Sequence, residues 1–242
     1  MGSPFNFILP IKEINRMNFR GSETVVKRGT HRRPSLLTCI PTFGMVCIDF
    51  HIAAQRLQVP VNCRNESMVI VKEEVGVARN EFAKHILSYP KAKRPEYLFM
   101  FGDDMIPTWD ALIRLWKEMR TGKWDVLAGL YYLKQEPPVP ILWRDEIDGF
   151  LEEGVHYKSG EVVSSNIAGM DFTLVKPEIL EAMEEPYFKT AFTDKTENMK
   201  GGIWLHTEDA WFCKKVTDMG GRVGVHTGVR VGHYDVESGI IY

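Results

Sequence analysis

The chain contains Tyr97-Leu98-Phe99-Met100-Phe101-Gly102-Asp103-Asp104-Met105-Ile106-Pro107, an apolar, aromatic-rich run that ends in two adjacent carboxylates and a proline. Short apolar runs of this kind are typical of buried strands in parallel sheets. In open α/β sheets, ligands bind beyond the carboxyl ends of such strands. Because carboxylates placed there are unfavourable unless they meet a cation or hydrogen-bond donors, the stretch indicates a metal site in a cleft.

Working outward from this stretch, strand-like runs alternate with segments of helical periodicity. The pattern predicts strands within 36–40, 61–71, 97–101, 126–132, 165–175 and 223–231, and helices at 48–57, 77–87, 109–120, 177–183 and 208–218. Thr108 and Thr207 are the expected N-caps of the third and fifth helices. Residues 186–206 lack clear periodicity and are interpreted as a mobile loop. The alternation predicts an α/β fold with a mainly parallel central sheet flanked by helices.

Composition excludes several classes of protein. The 242 residues carry a formal net charge of -2, which gives no reason to expect a nucleic-acid partner. Four cysteines without a C-x-x-C pair favour reduced thiols in a cytoplasmic protein. We find no run long enough to be a transmembrane segment and no signal-peptide layout. The basic residues 1–35 are interpreted as an N-terminal extension, and 36–242 as one domain.

The acidic pair has two interpretations. Mn²⁺ and Mg²⁺ prefer carboxylate oxygens, and both carboxylates can reach one ion only if the strand has ended, a bend that Gly102 makes easy. The alternative is a turn in which Asp103 or Asp104 caps the following helix.

Other candidate residues follow the remaining elements. Arg79 suits phosphate through its fork of donors, although an exposed arginine at a helix start is often only solvated. Its neighbour Asn80 would bind a nucleotide or hold a loop. Glu208 and Asp209 either complement the dipole of their helix or supply a general base aimed into the cleft. His233, after the last strand, is either a metal ligand or a structural hydrogen-bonder.

In their order along the chain, these motifs resemble those of the GT-A-fold glycosyltransferases, especially family 2-like enzymes. The resemblance covers roughly residues 36–235 and is carried by Pro41-Thr42, Ala78-Arg79-Asn80, the Asp-x-Asp-type site at 98–107, Gly129-Leu130-Tyr131-Tyr132, Gly169 to Val175, Thr207 to Cys213, and Gly232-His233. It implies a single GT-A-like, Rossmann-like domain. One departure is that Gly102 stands where many members have an acid, which makes metal geometry and dependence open questions.

The resemblance also implies roles. The residues expected to contact the nucleotide sugar are Pro41, Thr42, Arg79, Asn80, Asp103, Gly169 and Asp171. The metal, Mn²⁺ or Mg²⁺, would be held by Asp104, His233 and Asp103. Asp209 matches the catalytic base of inverting members, with Glu208 beside it.

The sequence therefore predicts a metal-dependent glycosyltransferase that uses a UDP- or GDP-sugar and an acceptor hydroxyl on a saccharide or other molecule. A retaining enzyme with the same metal motif would not need Asp209 as base. A nucleotidyltransferase is an alternative, although Pro41 to Val46 lacks the Gly-rich basic loop expected of one. A non-catalytic sugar- or nucleotide-binding module is another, and a metal-dependent hydrolase is a third. The donor, the acceptor and the oligomeric state are not predicted.

Overall fold

The structure is a computed structural model, and it describes residues 33–143, 146–147, 150–151, 157–193 and 204–242. Residues 1–32 of the predicted N-terminal extension lie outside the described residues, and Ser35 at its end already belongs to the first strand. Among the described residues, no helix is both long and apolar enough to cross a membrane.

The elements alternate along the chain much as predicted. The strands and helices are β1 (Ser35–Thr42), α1 (Ile48–Arg56), β2 (Arg64–Val71), α2 (Val75–Ser88), β3 (Tyr97–Phe101), β4 (Met105–Pro107), α3 (Ala111–Met119), β5 (Val126–Leu130), β6 (Leu142–Trp143), β7 (Glu146–Ile147), β8 (Phe150–Leu151), β9 (Val162–Ser164), β10 (Ile167–Ala168), β11 (Phe172–Val175), α4 (Pro177–Glu181), β12 (Ala191–Thr193), β13 (Trp204–His206), α5 (Glu208–Asp218) and β14 (Val223–His233).

The main sheet has the strand order β2-β1-β3-β11-β5-β14-β4, and β9 also pairs with β14. β2, β1 and β3 are parallel, and β5 is parallel to β14. β11 runs antiparallel between β3 and β5, and β4 and β9 are antiparallel to β14. Five strands therefore share one direction, which confirms a mainly parallel sheet.

Helices cover both faces of this sheet, and β3 shows why. Alternate residues of a strand point to opposite faces. Leu98 and Met100 pack in one core together with residues of α2 and α5. Phe99 and Phe101 pack in the other core, with residues of α1 and α3. Because both faces are covered, this strand is apolar throughout.

The reversed direction of β11 decides what meets at one edge of the sheet. The carboxyl ends of β3 and β5 lie at this edge, and so does the amino end of β11 between them. The residues that follow β3 and β5 therefore lie beside Asp171, which immediately precedes β11. This edge carries most of the predicted site residues.

Two local predictions about helix starts have different outcomes. Thr207 is the N-cap of α5 as predicted, since its hydroxyl accepts a hydrogen bond from the Ala210 amide at 3.4 Å. Thr108 does not cap α3; the cap position is Asp110, and the Thr108 hydroxyl donates to the Asp110 carboxylate at 2.8 Å.

Strand extends into two regions where none was predicted. β1 continues through Pro41 and Thr42, two residues beyond the strand predicted within 36–40. Within 186–206, β12 and β13 pair antiparallel, so those parts were wrongly interpreted as loop. Residues 186–190 carry no helix or strand, as predicted, and the prediction for residues 194–203 lies outside the described residues.

Candidate active site

The centre of the candidate site is Arg79, a residue of α2 whose side chain is 1% exposed. Its Nη2 donates to Asp171 Oδ1 at 2.6 Å, and its Nη1 donates to Glu208 Oε1 at 2.7 Å. Nη1 also donates to Asp209 Oδ1. One guanidinium therefore holds together three carboxylates that come from two separate parts of the chain. We call these four residues the Arg79 cluster.

Local structure places the carboxylates of the cluster. Glu208 and Asp209 lie in the first turn of α5, where negative charge is favoured by the unpaired amides and the helix dipole. Asp209 Oδ2 also accepts a hydrogen bond from the Met170 amide at 3.1 Å. Asp171 follows directly and leads into β11. The helix start and the strand start therefore meet at the same point of the sheet edge.

Burial and the neighbouring charges of the cluster change the pKa of Asp209. Burial raises the pKa of this carboxyl to about 7, and the charges of Asp171 and Glu208 add to the rise, against the opposing effect of Arg79. Although burial acts to lower it, these three carboxylates raise the pKa of Arg79, so the guanidinium stays charged. A carboxylate with a pKa near neutrality is suited to take a proton from a hydroxyl.

Tyr131 closes one side of the cluster. Its hydroxyl accepts a hydrogen bond from the Asp171 amide at 3.1 Å and donates to Asp171 Oδ2 at 3.3 Å. A Cβ on Gly169 would lie 2.0 Å from this hydroxyl, so a side chain there would displace the phenol. The packing accounts for Gly169 without a sugar contact. Tyr131 is 1% exposed, so its ring belongs to the core and offers no face on which a sugar could stack.

On the other side of Tyr131 lies the predicted metal site. The Tyr131 and His233 rings meet edge to face, with centroids 5.3 Å apart. His233 Nε2 lies 3.3 Å from Asp104 Oδ2, and Lys134 Nζ lies 2.6 Å from the same oxygen. Burial acts to raise the pKa of Asp104, but the hydrogen bonds from His233 and Lys134 lower it. Tyr131 thus connects the Arg79 cluster with the Asp104 side chain through His233.

Strand pairing fixes the turn that carries Asp104. β4 is antiparallel to β14, with Met105 opposite His233. The Tyr234 amide donates to the Asp104 carbonyl at 2.8 Å. Asp104 and His233, which are distant in sequence, are therefore neighbours because of the register between β4 and β14.

Asp103 and Thr42 lie near each other at the ends of β3 and β1. Burial raises the pKa of Asp103, and a hydrogen bond with Thr42 opposes this rise. The Thr42 hydroxyl also accepts from the Gly44 amide at 2.9 Å. Pro41 lies beside Thr42 within β1, opposite Ile70 of β2.

Gly102 has a steric reason for being glycine. A Cβ at this position would lie 2.8 Å from the Asp171 Cβ, closer than side-chain carbons approach. The Gly102 amide donates to the Asp171 carbonyl at 2.8 Å. The glycine at this motif position therefore makes room for Asp171, the acid that immediately precedes β11.

The donor set fits a small metal centre. A carbonyl can only accept, so His233 Nδ1 is the donor in its 2.8 Å hydrogen bond with the Tyr132 carbonyl. This arrangement, common for ligating histidines, leaves Nε2 to face Asp104. Within the described residues, no group of three or more His, Cys, Asp or Glu side chains could hold a metal. A two-residue site of this kind suits Mn²⁺ or Mg²⁺, which fill their remaining positions with water and phosphate oxygens.

Two predicted nucleotide contacts have different surroundings from those expected. The Arg79 guanidinium is buried among carboxylates, which makes it a positioning group and not a free phosphate ligand. Asn80 holds a loop, the second of its two predicted roles. Its amide nitrogen donates to the Gly76 and Phe188 carbonyls, each at 2.7 Å, and its oxygen accepts from the Tyr187 and Phe188 amides.

Lys134 was not among the residues predicted for the site. This lysine follows β5 in a proline-containing loop, and the acid nearest to it in the sequence is Glu136, whereas its partner Asp104 lies 30 positions away. The one available signal was its place just beyond the carboxyl end of a predicted strand, the edge at which ligands bind.

Comparisons with known proteins support the fold. No family model matches the sequence, and no curated protein sequence matches it. A197 from STIV, a viral protein, aligns over 84% of this chain and 87% of its own, with a TM-score of 0.57 and 18% identity. A structure of GalNAc-T7 with UDP, GalNAc and Mn²⁺ aligns over 85% of this chain and 44% of its own, with a TM-score of 0.48 and 11% identity. The likeness to A197 shows a shared fold, and at this identity the fold alone.

Proposed function

We propose that this chain is a metal-dependent glycosyltransferase that moves a sugar from a UDP- or GDP-sugar to an acceptor hydroxyl with inversion. The observation that carries the proposal is Asp209, a partly buried carboxylate with a raised pKa. It belongs to the Arg79 cluster, which Tyr131 connects to the Asp104–His233 pair. One end of this arrangement suits proton removal and the other suits a diphosphate.

Asp209 would take the proton of the acceptor hydroxyl while that oxygen attacks the anomeric carbon. The Arg79 and Met170 hydrogen bonds fix the orientation of its carboxylate, because one holds each oxygen. Each oxygen retains a further lone pair, and the side chain is 15% exposed, so an acceptor has access to it. Glu208 and Asp171 keep the proton affinity of Asp209 high through their charges.

Asp104 and His233 would hold Mn²⁺ or Mg²⁺. When bound, such an ion stabilises the negative charge that develops on a departing diphosphate. Asp103 and Thr42 would face the nucleoside from the ends of β3 and β1, and Pro41 would lie beside them. These assignments rest on the shared edge of the sheet and on the resemblance of the motifs.

The first experiment is a thermal-shift screen of UDP, GDP and their sugars, with and without Mn²⁺. Ligand that binds the native state raises the melting temperature. We expect one nucleotide to raise the melting temperature much more with Mn²⁺ than without it, and this Mn²⁺-dependent shift to be lost in Asp104→Ala. Asp125→Asn is the matched control, because Asp125 also pairs with a lysine but precedes β5 at the opposite edge of the sheet.

The result also separates the alternatives. No shift with any nucleotide would overturn the donor-site assignment. Release of pyrophosphate from a nucleoside triphosphate would identify a nucleotidyltransferase. Binding without sugar transfer to any of a panel of acceptors would indicate a binding module. A large loss of turnover in Asp209→Asn with unchanged donor binding would support inversion, whereas a small loss would favour a retaining enzyme.

A further inference from the structure

Lys134 and a metal ion would bind the same oxygen atom, Asp104 Oδ2. Lys134 Nζ lies 2.6 Å from Asp104 Oδ2, which is also the oxygen nearest His233 Nε2 at 3.3 Å. The Lys134 and Asp104 side chains are 28% and 25% exposed, so this contact is partly shielded from water. A metal held by Asp104 and His233 would lie against the ammonium, and the two positive charges would repel each other.

The surroundings allow Lys134 to leave this oxygen without a change of fold. The backbone on both sides of Lys134 is fixed. The Leu133 amide donates to the Val139 carbonyl at 2.8 Å, and Tyr132 forms an antiparallel β-bridge with Pro140. The side chain itself is a flexible four-carbon stem that ends in a compact charge. The ammonium can therefore swing away from Asp104 while the loop stays in place.

We propose that Lys134 is the resident counter-cation of Asp104, that it competes with a divalent ion for this carboxylate, and that it supplies positive charge to a diphosphate when no metal is bound. Both parts rest on the proposed function: the competition needs only its metal site, whereas the diphosphate role also needs its nucleotide.

The competition is tested by titrating the full chain with Mn²⁺ and following free Mn²⁺ by electron paramagnetic resonance. Lys134→Met removes the charge and keeps most of the stem. We expect this variant to bind Mn²⁺ roughly tenfold more tightly than the wild type, because a positive charge beside the ion is gone. Asp104→Asn should bind it far more weakly. Equal or weaker binding by Lys134→Met would overturn the competition.

Lys176→Met is the matched control. Lys176 Nζ lies 2.9 Å from Asp125 Oδ1, with both side chains about as exposed as those of the Lys134 pair, but it follows β11 at the opposite edge of the sheet. We expect Mn²⁺ binding in this variant to equal that of the wild type. A gain as large as that of Lys134→Met would make the effect a general one of net charge and would overturn the proposal.

The diphosphate role is tested with UDP and GDP in the presence of EDTA. We expect the wild type to bind one of them weakly and Lys134→Met to bind it several-fold more weakly still. Equal binding by the two proteins would overturn this part. If no variant bound either nucleotide with or without Mn²⁺, the proposed function would fail, and the Mn²⁺ titration would still decide the competition.

Discussion

Asp209 couples the proposed chemistry to the stability of the fold, and Asp209→Asn tests that coupling. The pKa of this carboxyl is raised from 3.8 to about 7 by burial. The folded protein therefore holds a proton at pH values at which the unfolded chain has released it. Because unfolding then releases that proton, stability is greatest at low pH and falls as the pH rises from the unfolded pKa to the folded one.

The size of the effect follows from the shift. Each unit of pKa difference corresponds to about 1.4 kcal/mol, so Asp209 alone lowers the free energy of unfolding by roughly 4 kcal/mol between about pH 4 and pH 7. The carboxylate is only 15% exposed, so solvent screening reduces this value little. Above about pH 7 the contribution is constant.

The assay is urea unfolding of the wild type and of Asp209→Asn at several values between about pH 5 and pH 8. We expect the wild type to lose stability by about 1.4 kcal/mol per unit in the lower part of this range, and the variant to lose that slope. A wild type whose stability is constant or rises with pH would refute the reasoning, as would a variant that keeps the slope.

Asp125→Asn is the control for this measurement. Burial acts to raise the pKa of Asp125, but hydrogen bonds from Arg222 and Lys176 lower it below its ordinary value of 3.8. Its contribution to stability is therefore complete above that value and is lost only as the pH falls through the lowered pKa. The control should lower stability by the same amount throughout the range and leave the slope unchanged.

Three further substitutions probe the same edge of the sheet. Arg79→Met leaves three partly buried carboxylates without their guanidinium and should lower the free energy of unfolding, measured in urea, by about 3 kcal/mol, with only partial recovery in Arg79→Lys. Wild-type stability in Arg79→Met would contradict the role of the cluster. Gly102→Asp restores the acid of the motif, but its Cβ would lie 2.8 Å from that of Asp171. We therefore expect a lower melting temperature and no tighter binding of Mn²⁺. Tighter Mn²⁺ binding would show that the steric explanation is wrong. Asn80→Ala should speed hydrogen exchange of the amides of residues 187–188, because both amides donate a hydrogen bond to the Asn80 side-chain oxygen. Unchanged protection of these amides, measured by mass spectrometry, would contradict the role of Asn80 in holding this loop.

Much of the fold was predictable because its strands are covered on both faces. β3 is buried at every position, and this uniform apolarity is visible in the sequence. The direction of β11 was not predictable for the same reason: Phe172–Val175 is also buried throughout, and a uniformly apolar strand carries no mark of its orientation. The start of α3 was missed because Thr108 and Asp110 are both good caps, and tertiary context decides between them.

The candidate site was predictable as a set of residues but not as a network. Asp104, Asp209 and His233 each lie at or next to the end of a recognisable element, so their common edge could be inferred from topology. The partners of Arg79 could not, because its carboxylates lie 92, 129 and 130 positions away along the chain. No periodicity or local motif records a contact over that distance.

The antiparallel pairing of β5 and β11 has a consequence for how such a site can diversify. The chain leaves the sheet at Tyr131 and returns at Asp171, and these two residues are clasped by the 3.1 Å hydrogen bond from the Asp171 amide to the Tyr131 hydroxyl. The intervening segment therefore begins and ends at one place, as a cassette does. Its two ends must be kept, because Lys134 and the Met170 amide take part in the site and Leu142, Val163 and Ala168 pack in the core. Sequence changes confined to the stretch between residues 143 and 157 would leave both ends, and the register of the two flanking strands, as they are.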